Sequence, residues 1–215
     1  MFTGVGGFEL GFGKKARCIG FSEIDKYASE LLAKKWPTIK NWGDCTKINP
    51  SELPDFDMLC GGFPCQAFSI AGKRRGFEDT RGTMFFEIAR ILKVKRPKIL
   101  LLENVKGLLN HEKGQTFKVI LQTLDELGYE TQWMVLNSKF FGVPQNRERV
   151  FIIGNLRGTS RPKILPFRKS SKKIIELQGQ QTNILKARYT ALGDGSYIIE
   201  SKFNAQIKRG DKNEM

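Results

Sequence analysis

The chain is poor in the groups that usually staple or metallate a small domain. Of its 215 residues, four are cysteine and one is histidine. Cys18, Cys45, Cys60 and Cys65 contain no CxxC pair, and His111 is the single imidazole available to them, so no metal site is expected. The same spacing fits free thiols in a reducing cytoplasm better than a disulfide framework. No stretch reaches the roughly 18–20 apolar residues of a membrane span. The opening residues, Met1-Phe2-Thr3-Gly4-Val5-Gly6-Gly7, have neither the basic start nor the apolar run of a secretory signal. Acidic residues are also in deficit, 22 against 36 Lys and Arg, for a net charge of +14. A surplus of this size points toward a polyanion, because phosphates reward Lys and Arg through counterion release. A solvated basic surface has the same composition. The excess is uneven: residues 1–155 carry 23 Lys and Arg against 17 Asp and Glu, residues 156–215 carry 13 against 5.

What remains is the composition of a globular protein, 40% hydrophobic and 27% charged, in a chain long enough for one ordinary domain with a core. Up to about Gly154, short apolar runs alternate with amphipathic segments, which predicts an α/β domain with a mostly parallel sheet flanked by helices. Strands are expected at Arg17–Glu23, Asp57–Cys60, Lys98–Glu103, Thr131–Asn137 and Val150–Gly154. Helices are expected at Lys26–Lys35, Thr83–Val94 and Thr116–Leu127. The last places Phe117, Ile120, Leu121, Leu124 and Leu127 at helical spacing, with Gly128 as a stop. After Leu156 the texture changes to basic, loop-like sequence with short strand-like pieces such as Tyr197–Glu200.

Three glycines in four residues, Gly4, Gly6 and Gly7, form a turn ahead of a short amphipathic segment. Without a Cβ, such a turn lets the backbone approach a nucleotide-like ligand. Nineteen residues past Gly4 stands Glu23, about where dinucleotide-type folds hold ribose hydroxyls. Gly43-Asp44-Cys45 brings a second carboxylate toward the same region. The strand that normally leads into a turn of this kind is not in the chain, and the expectation is that the sequence is cut at its front.

Phe56–Cys60 runs as a short apolar strand into Gly61-Gly62-Phe63-Pro64-Cys65-Gln66. A thiol just beyond a strand's carboxyl end is where open α/β sheets place their ligands. Cysteine is usually a buried small hydrophobe, the expected state of Cys18, Cys45 and Cys60. Cys65 differs in having a rigid proline before it and a polar loop, Gln66–Arg75, after it. Glu103, at the end of the apolar strand Lys98–Glu103, is expected at the same sheet edge. Arg147 and Arg149 lead into Val150–Ile153 and, two apart, share a face.

In this order, Phe-x-Gly-x-Gly-Gly, Ser-Glu-Ile-Asp, Gly-Asp-Cys, Gly-Gly-Phe-Pro-Cys-Gln-Ala-Phe-Ser, Glu-Asn-Val and Gln-Asn-Arg-Glu-Arg resemble the cytosine-C5 DNA methyltransferases that accompany bacterial restriction systems. The resemblance covers about residues 1–155. It implies a Rossmann-like, S-adenosylmethionine-dependent fold in which Cys65 attacks C6 of a flipped cytosine in duplex DNA, with Glu103, Arg147 and Arg149 as catalytic partners. It assigns the cofactor to Phe2, Gly4, Gly6, Gly7, Glu23, Ile24, Asp44, Cys45, Pro64 and Met84. It places DNA contacts at Gln66, Ser69, Lys73, Arg74 and Arg81, in a loop resembling the family's mobile loop. Family members continue past residue 155 into a target-recognition domain and two late motifs. Those motifs are not found here, and Asn183–Thr190 resembles only the entrance to such a domain. The expectation is a catalytic core truncated at both ends, with residues 156–215 a linker and the start of a recognition region. It would act on DNA in the cytoplasm of a bacterial or phage-infected cell, beside a restriction endonuclease or a separate recognition subunit. A non-catalytic or split-subunit nucleic-acid-binding partner and a tRNA cytosine-C5 methyltransferase are the alternatives. A nicotinamide dehydrogenase leaves the Pro-Cys-Gln, Glu-Asn-Val and Arg-x-Arg segments unexplained.

Overall fold

A computed structural model describes residues 1–64, 84–142 and 144–159, together with the backbone of two strands at 188–191 and 197–200. Helix α1 (Gly7–Phe12) follows the glycine turn. Helix α2 (Lys26–Lys35) starts where the Asp25 carboxylate accepts the Ala28 N–H at 2.8 Å, and it buries Ala28 and Leu32, one turn apart. Helix α3 (Met84–Lys95) buries Phe85, Ile88, Ala89, Ile91 and Leu92. Helix α4 (Gln115–Glu126) buries Phe117, Ile120, Leu121 and Leu124, and Gly128 ends it at φ +90°.

The strands are β1 (Met58–Gly62), β2 (Ile99–Val105), β3 (Tyr129–Asn137), β4 (Glu148–Leu156), β5 (Arg188–Ala191) and β6 (Tyr197–Glu200), and they form one sheet in the order β1-β2-β4-β3-β6-β5. The α/β expectation holds, but the pairing is mixed rather than mostly parallel. β1 and β2 pair parallel, whereas β2–β4, β3–β4, β3–β6 and β5–β6 pair antiparallel. The cause is the short connection 138–147. It is too short for a crossover, so β4 must return antiparallel, and it inserts between β2 and β3. β1, β2 and β3 therefore still run in one direction, and their carboxyl ends share an edge with the start of β4.

Arg17–Glu23 is not a strand. It contributes one parallel bridge, Phe21 to Asn41, because residues 17–20 find no neighbouring ladder among the described residues. The expected strand at Tyr197–Glu200 is β6. Leu100 and Leu102 of β2, Val150 and Ile152 of β4 and Trp133 of β3 join the buried faces of α3 and α4 in one core cluster, where Phe117 meets Trp133 edge-on at 4.9 Å. Strand alternation puts Glu103, Phe151 and Arg149 on the opposite face. No helix of the described residues is long and apolar enough to cross a membrane.

Candidate active site at the carboxyl edge of the sheet

Three loops are tied together at one end of the molecule. In the first, Gly4 and Gly6 take φ +56° and +84°. A Cβ on Gly6 would lie 2.6 Å from the Trp36 ring, so glycine is required there twice over. The second loop carries Glu23, whose carboxylate is not free. Its Oε2 accepts the Gly4 N–H at 2.7 Å, and its Oε1 accepts the Ile24 and Asp25 N–H groups at 2.9 and 2.8 Å. Glu23 thus holds the glycine turn in place while keeping acceptor capacity on Oε2. Asn41 locks the same loop: its Oδ1 accepts the Glu23 and Gly43 N–H groups, and its Nδ2 donates to the Glu23 carbonyl.

The third loop begins at Gly43, whose carbonyl accepts the Ser22 hydroxyl at 2.9 Å. Asp44 follows as the cap of a short turn, its Oδ1 accepting both the hydroxyl and the N–H of Thr46 at 2.7 and 3.0 Å. These hydrogen bonds from Thr46, side chain first, hold its carboxyl below the usual range. Cys45 is buried with its Sγ 3.9 Å from Sδ of Met84, and burial raises its thiol pKa. Arg90 of α3 clamps this loop from beneath. Its Nη1 donates to the Ile48 carbonyl at 2.6 Å and its Nη2 to the Cys45 carbonyl at 2.9 Å, while Glu87 neutralises it at 2.7 Å.

A second group of residues stands along the strand ends. Arg149 Nε lies 2.8 Å from Glu103 Oε1, both side chains only about a fifth to a quarter exposed, at 20% and 24%. The pair forms because Val105 faces Arg149 in the β2–β4 ladder and Gly62 faces Glu103 in the β1–β2 ladder. A Cβ on Gly62 would sit 3.2 Å from Glu103 Oε2, so the glycine leaves room for the carboxylate. Buried Asn104 donates its Nδ2 to the Phe63 carbonyl at 2.8 Å and accepts the Val105 N–H on its Oδ1 at 2.8 Å. It ties the end of β2 to the backbone two residues before Cys65.

The structure thus brings Gly4, Gly6, Glu23, Ile24, Asp44, Cys45 and Met84 into one set of linked loops, with Phe2 half-buried in the glycine segment at φ +53° and Gly7 opening α1. Pro64 is exposed at the end of the β1 segment. Arg149 joins Glu103, whereas Arg147 stands exposed just before β4 and contributes its carbonyl to Ser138 N–H. Cys65, Gln66, Ser69, Lys73, Arg74 and Arg81 lie outside the described residues. Of the other cysteines only Cys45 is buried. Cys18 and Cys60 are half-buried, Cys60 because it lies at the β1 edge, where the Met1 ammonium donates to its carbonyl at 2.7 Å. Sequence reasoning missed Asn41, Arg90 and the role of Asn104. Asn104 sat inside a quoted motif, but nothing in its spacing shows that its amide reaches another strand's loop.

A mixed sheet flanked by helices, with a glycine turn and an acid-bearing loop at one end, is the Rossmann-like fold of S-adenosylmethionine-dependent methyltransferases. Within that class, the chain belongs to the C-5 cytosine-specific DNA methylase family, whose model matches residues 1–214. It is 48% identical over 220 residues to the type II methyltransferase M.BanI of Aneurinibacillus aneurinilyticus, covering 99% of this chain and 50% of that protein. It is 50% identical over 171 residues to M.NlaIV of Neisseria lactamica, covering 73% of this chain and 40% of that protein. The chain therefore spans about half the length, or less, of these relatives. A Spodoptera frugiperda DNMT2 mutant shares the fold at a TM-score of 0.62 and 21% identity, covering 79% of this chain and 52% of that one.

Proposed function

We propose that this chain carries the catalytic and cofactor-binding part of a DNA cytosine-C5 methyltransferase, in residues 1–155, and that residues 156–215 lead toward a target-recognition region. The observation that carries the reading is the Glu103–Arg149 pair, at 2.8 Å, held on the strand edge where Phe63 and Pro64 follow β1.

The linked loops fit S-adenosylmethionine. Val5 and Ile24 are exposed apolar side chains, 57% and 75%, beside two carboxylates that retain acceptor capacity. That combination suits adenosine, which has apolar ring faces and hydroxyl and amino donors. Phe2, Val5 and Ile24 would flank the adenine, Glu23 would take ribose hydroxyls and Asp44 the amino edge, with Gly4, Gly6 and Gly7 allowing close approach and Cys45, Pro64 and Met84 closing the site. When bound, S-adenosylmethionine supplies an electrophilic methyl group.

The chain's own residues do the rest. Cytosine C6 is inaccessible in a base stack, so the target base must leave the duplex. Cys65, as thiolate, adds to C6 and makes C5 nucleophilic; once C5 is methylated, the C5 proton is lost and Cys65 leaves C6, restoring the aromatic base and the thiolate. Glu103, taking up a proton on Oε2 while Oε1 stays with Arg149, holds the N3 and N4 edge and gives that proton to N3 as the thiolate adds. Arg149 fixes the Glu103 rotamer through Oε1 and stabilises charge developing at O2, with Arg147 beside it. Gln66, Ser69, Lys73, Arg74 and Arg81 meet the DNA.

Replacing Glu103 by Gln keeps the shape and removes the transferable proton. Transfer of labelled methyl to duplex DNA is expected to fall by about 10²–10⁴-fold, with cofactor affinity unchanged by calorimetry. Undiminished transfer would remove Glu103 from the chemistry.

A further inference from the structure

The connection between β3 and β4 leaves the sheet at the edge that holds Glu103 and Phe63, and it presents two large rings to water. Phe140 is 45% exposed and Phe141 58%. They lie in a single 3-10 turn, Ser138–Phe141, that reverses at Gly142 with φ +79°. Adjacent exposed aromatics cost solubility and contribute nothing to the core, so a protein that keeps them usually covers them in use.

The turn is held rigid at its base. The Asn137 Oδ1 accepts the Lys139 N–H at 3.1 Å, and the Asn137 Nδ2 donates to Asn146 Oδ1 at 2.6 Å. Ser138 donates its N–H to the Arg147 carbonyl at 3.0 Å and its hydroxyl to the Gln145 carbonyl. The rings are thus presented by a fixed scaffold. A lysine stands over one of them. Lys139 Nζ stands 4.9 Å from the Phe140 ring centroid, and Arg147 is exposed at the other end of the same connection. At the neighbouring strand end Lys106 pairs with Glu148 at 2.9 Å. In a chain of net charge +14, rigid aromatics edged by a lysine match bases edged by phosphates, since rings stack on bases or wedge between them while cations meet the backbone.

We propose that Phe140 and Phe141 form a stacking platform for DNA beside the target base, with Lys139 on a flanking phosphate. The proposal rests on the methyltransferase reading and adds a contact outside the Gln66–Arg81 segment. It is tested by fluorescence anisotropy of the chain on a short labelled duplex containing a mismatched cytosine, over a range of salt. The Phe140→Ser/Phe141→Ser variant should lose about tenfold in affinity with an unchanged salt slope. Lys139→Gln should flatten the slope by about one. Without DNA, the double variant should melt at or above the wild-type temperature, because exposed rings give way to polar groups.

Equal affinity of the double variant and wild type would overturn the platform. So would a melting temperature several degrees lower, which would mean that the rings pack on protein. Covalent trapping of wild type on duplex DNA containing 5-fluorocytosine, run in parallel, separates the two claims. Trapping with no loss of affinity in the double variant sinks the platform and leaves the methyltransferase reading standing. Absence of both trapping and binding in the wild type sinks both.

Discussion

At the scale of single residues, the thiols separate by environment. Burial pushes Cys60 up to about 12 and raises Cys45 and Cys18, so none of these three is a thiolate near neutral pH. Cys65 follows a proline and is the one proposed to react. Treating the folded protein with iodoacetamide at pH 7.5 and mapping the adducts by mass spectrometry should show Cys65 modified first. Cys18, Cys45 and Cys60 should stay unmodified until denaturant is added. Modification of Cys60 ahead of Cys65 would contradict the assignment. The other single-residue lesson concerns Glu23. It was legible as an acid near a glycine turn, but its three backbone hydrogen bonds were not. Spacing along a chain indicates where a carboxylate will stand and not how many of its lone pairs are already used.

At the scale of elements, the helices were the most legible parts, because an apolar stripe and a cap are local. α2 spans the residues that its pattern predicts, and α3 and α4 differ from theirs by one residue. Strand pairing is not local. The position of β4 between β2 and β3 is what brings Arg149 to Glu103, and neither strand's own sequence contains that order. Arg90 joins elements in the same way, linking α3 to the Cys45 and Ile48 carbonyls. Replacing it by Met should cost about 2 kcal/mol of stability, since charge-assisted hydrogen bonds to two carbonyls are lost. It should also weaken S-adenosylmethionine binding about tenfold by calorimetry, a loss of about 1.4 kcal/mol. Unchanged affinity in a destabilised variant would make Arg90 a structural staple only.

Tyr129, the first residue of β3, adds a pH dependence. It is buried, its hydroxyl donates to the Pro97 carbonyl at 2.7 Å, and burial raises its pKa from 10.0 to about 12. Between those values the folded state keeps a proton that the unfolded state has lost, so stability falls as pH rises through this window. The shift corresponds to about 2–3 kcal/mol. Melting curves from pH 9.5 to 11.5 should show a steeper decline in wild type than in Tyr129→Phe. Parallel declines would show that Tyr129 does not titrate differently in the two states.

At the scale of the whole molecule, charge and motif order pointed to one class, and the match to the C-5 cytosine-specific DNA methylase family over residues 1–214 extends beyond the 155 residues whose motifs were readable. The later part was hard to read because β6 pairs with β3, a contact across more than 60 residues that basic, loop-like sequence does not reveal, and β5 in turn pairs with β6. Of the catalytic residues expected from the sequence, Glu103 and Arg149 meet at the strand edge, while Cys65 lies outside the described residues. The supports Asn41, Arg90 and Asn104 were not legible, since each acts through a distant backbone carbonyl or N–H, Asn41 through both of those of Glu23.

The most direct test of the account is covalent capture. The protein is incubated with S-adenosylmethionine and a mixed-sequence duplex containing 5-fluorocytosine, from which the C5 substituent cannot leave as a proton, and the captured peptide is sequenced by mass spectrometry. A DNA adduct on Cys65 that disappears in Cys65→Ala is the predicted result. An adduct on another residue, equal capture by the alanine variant, or no capture by wild type would contradict it.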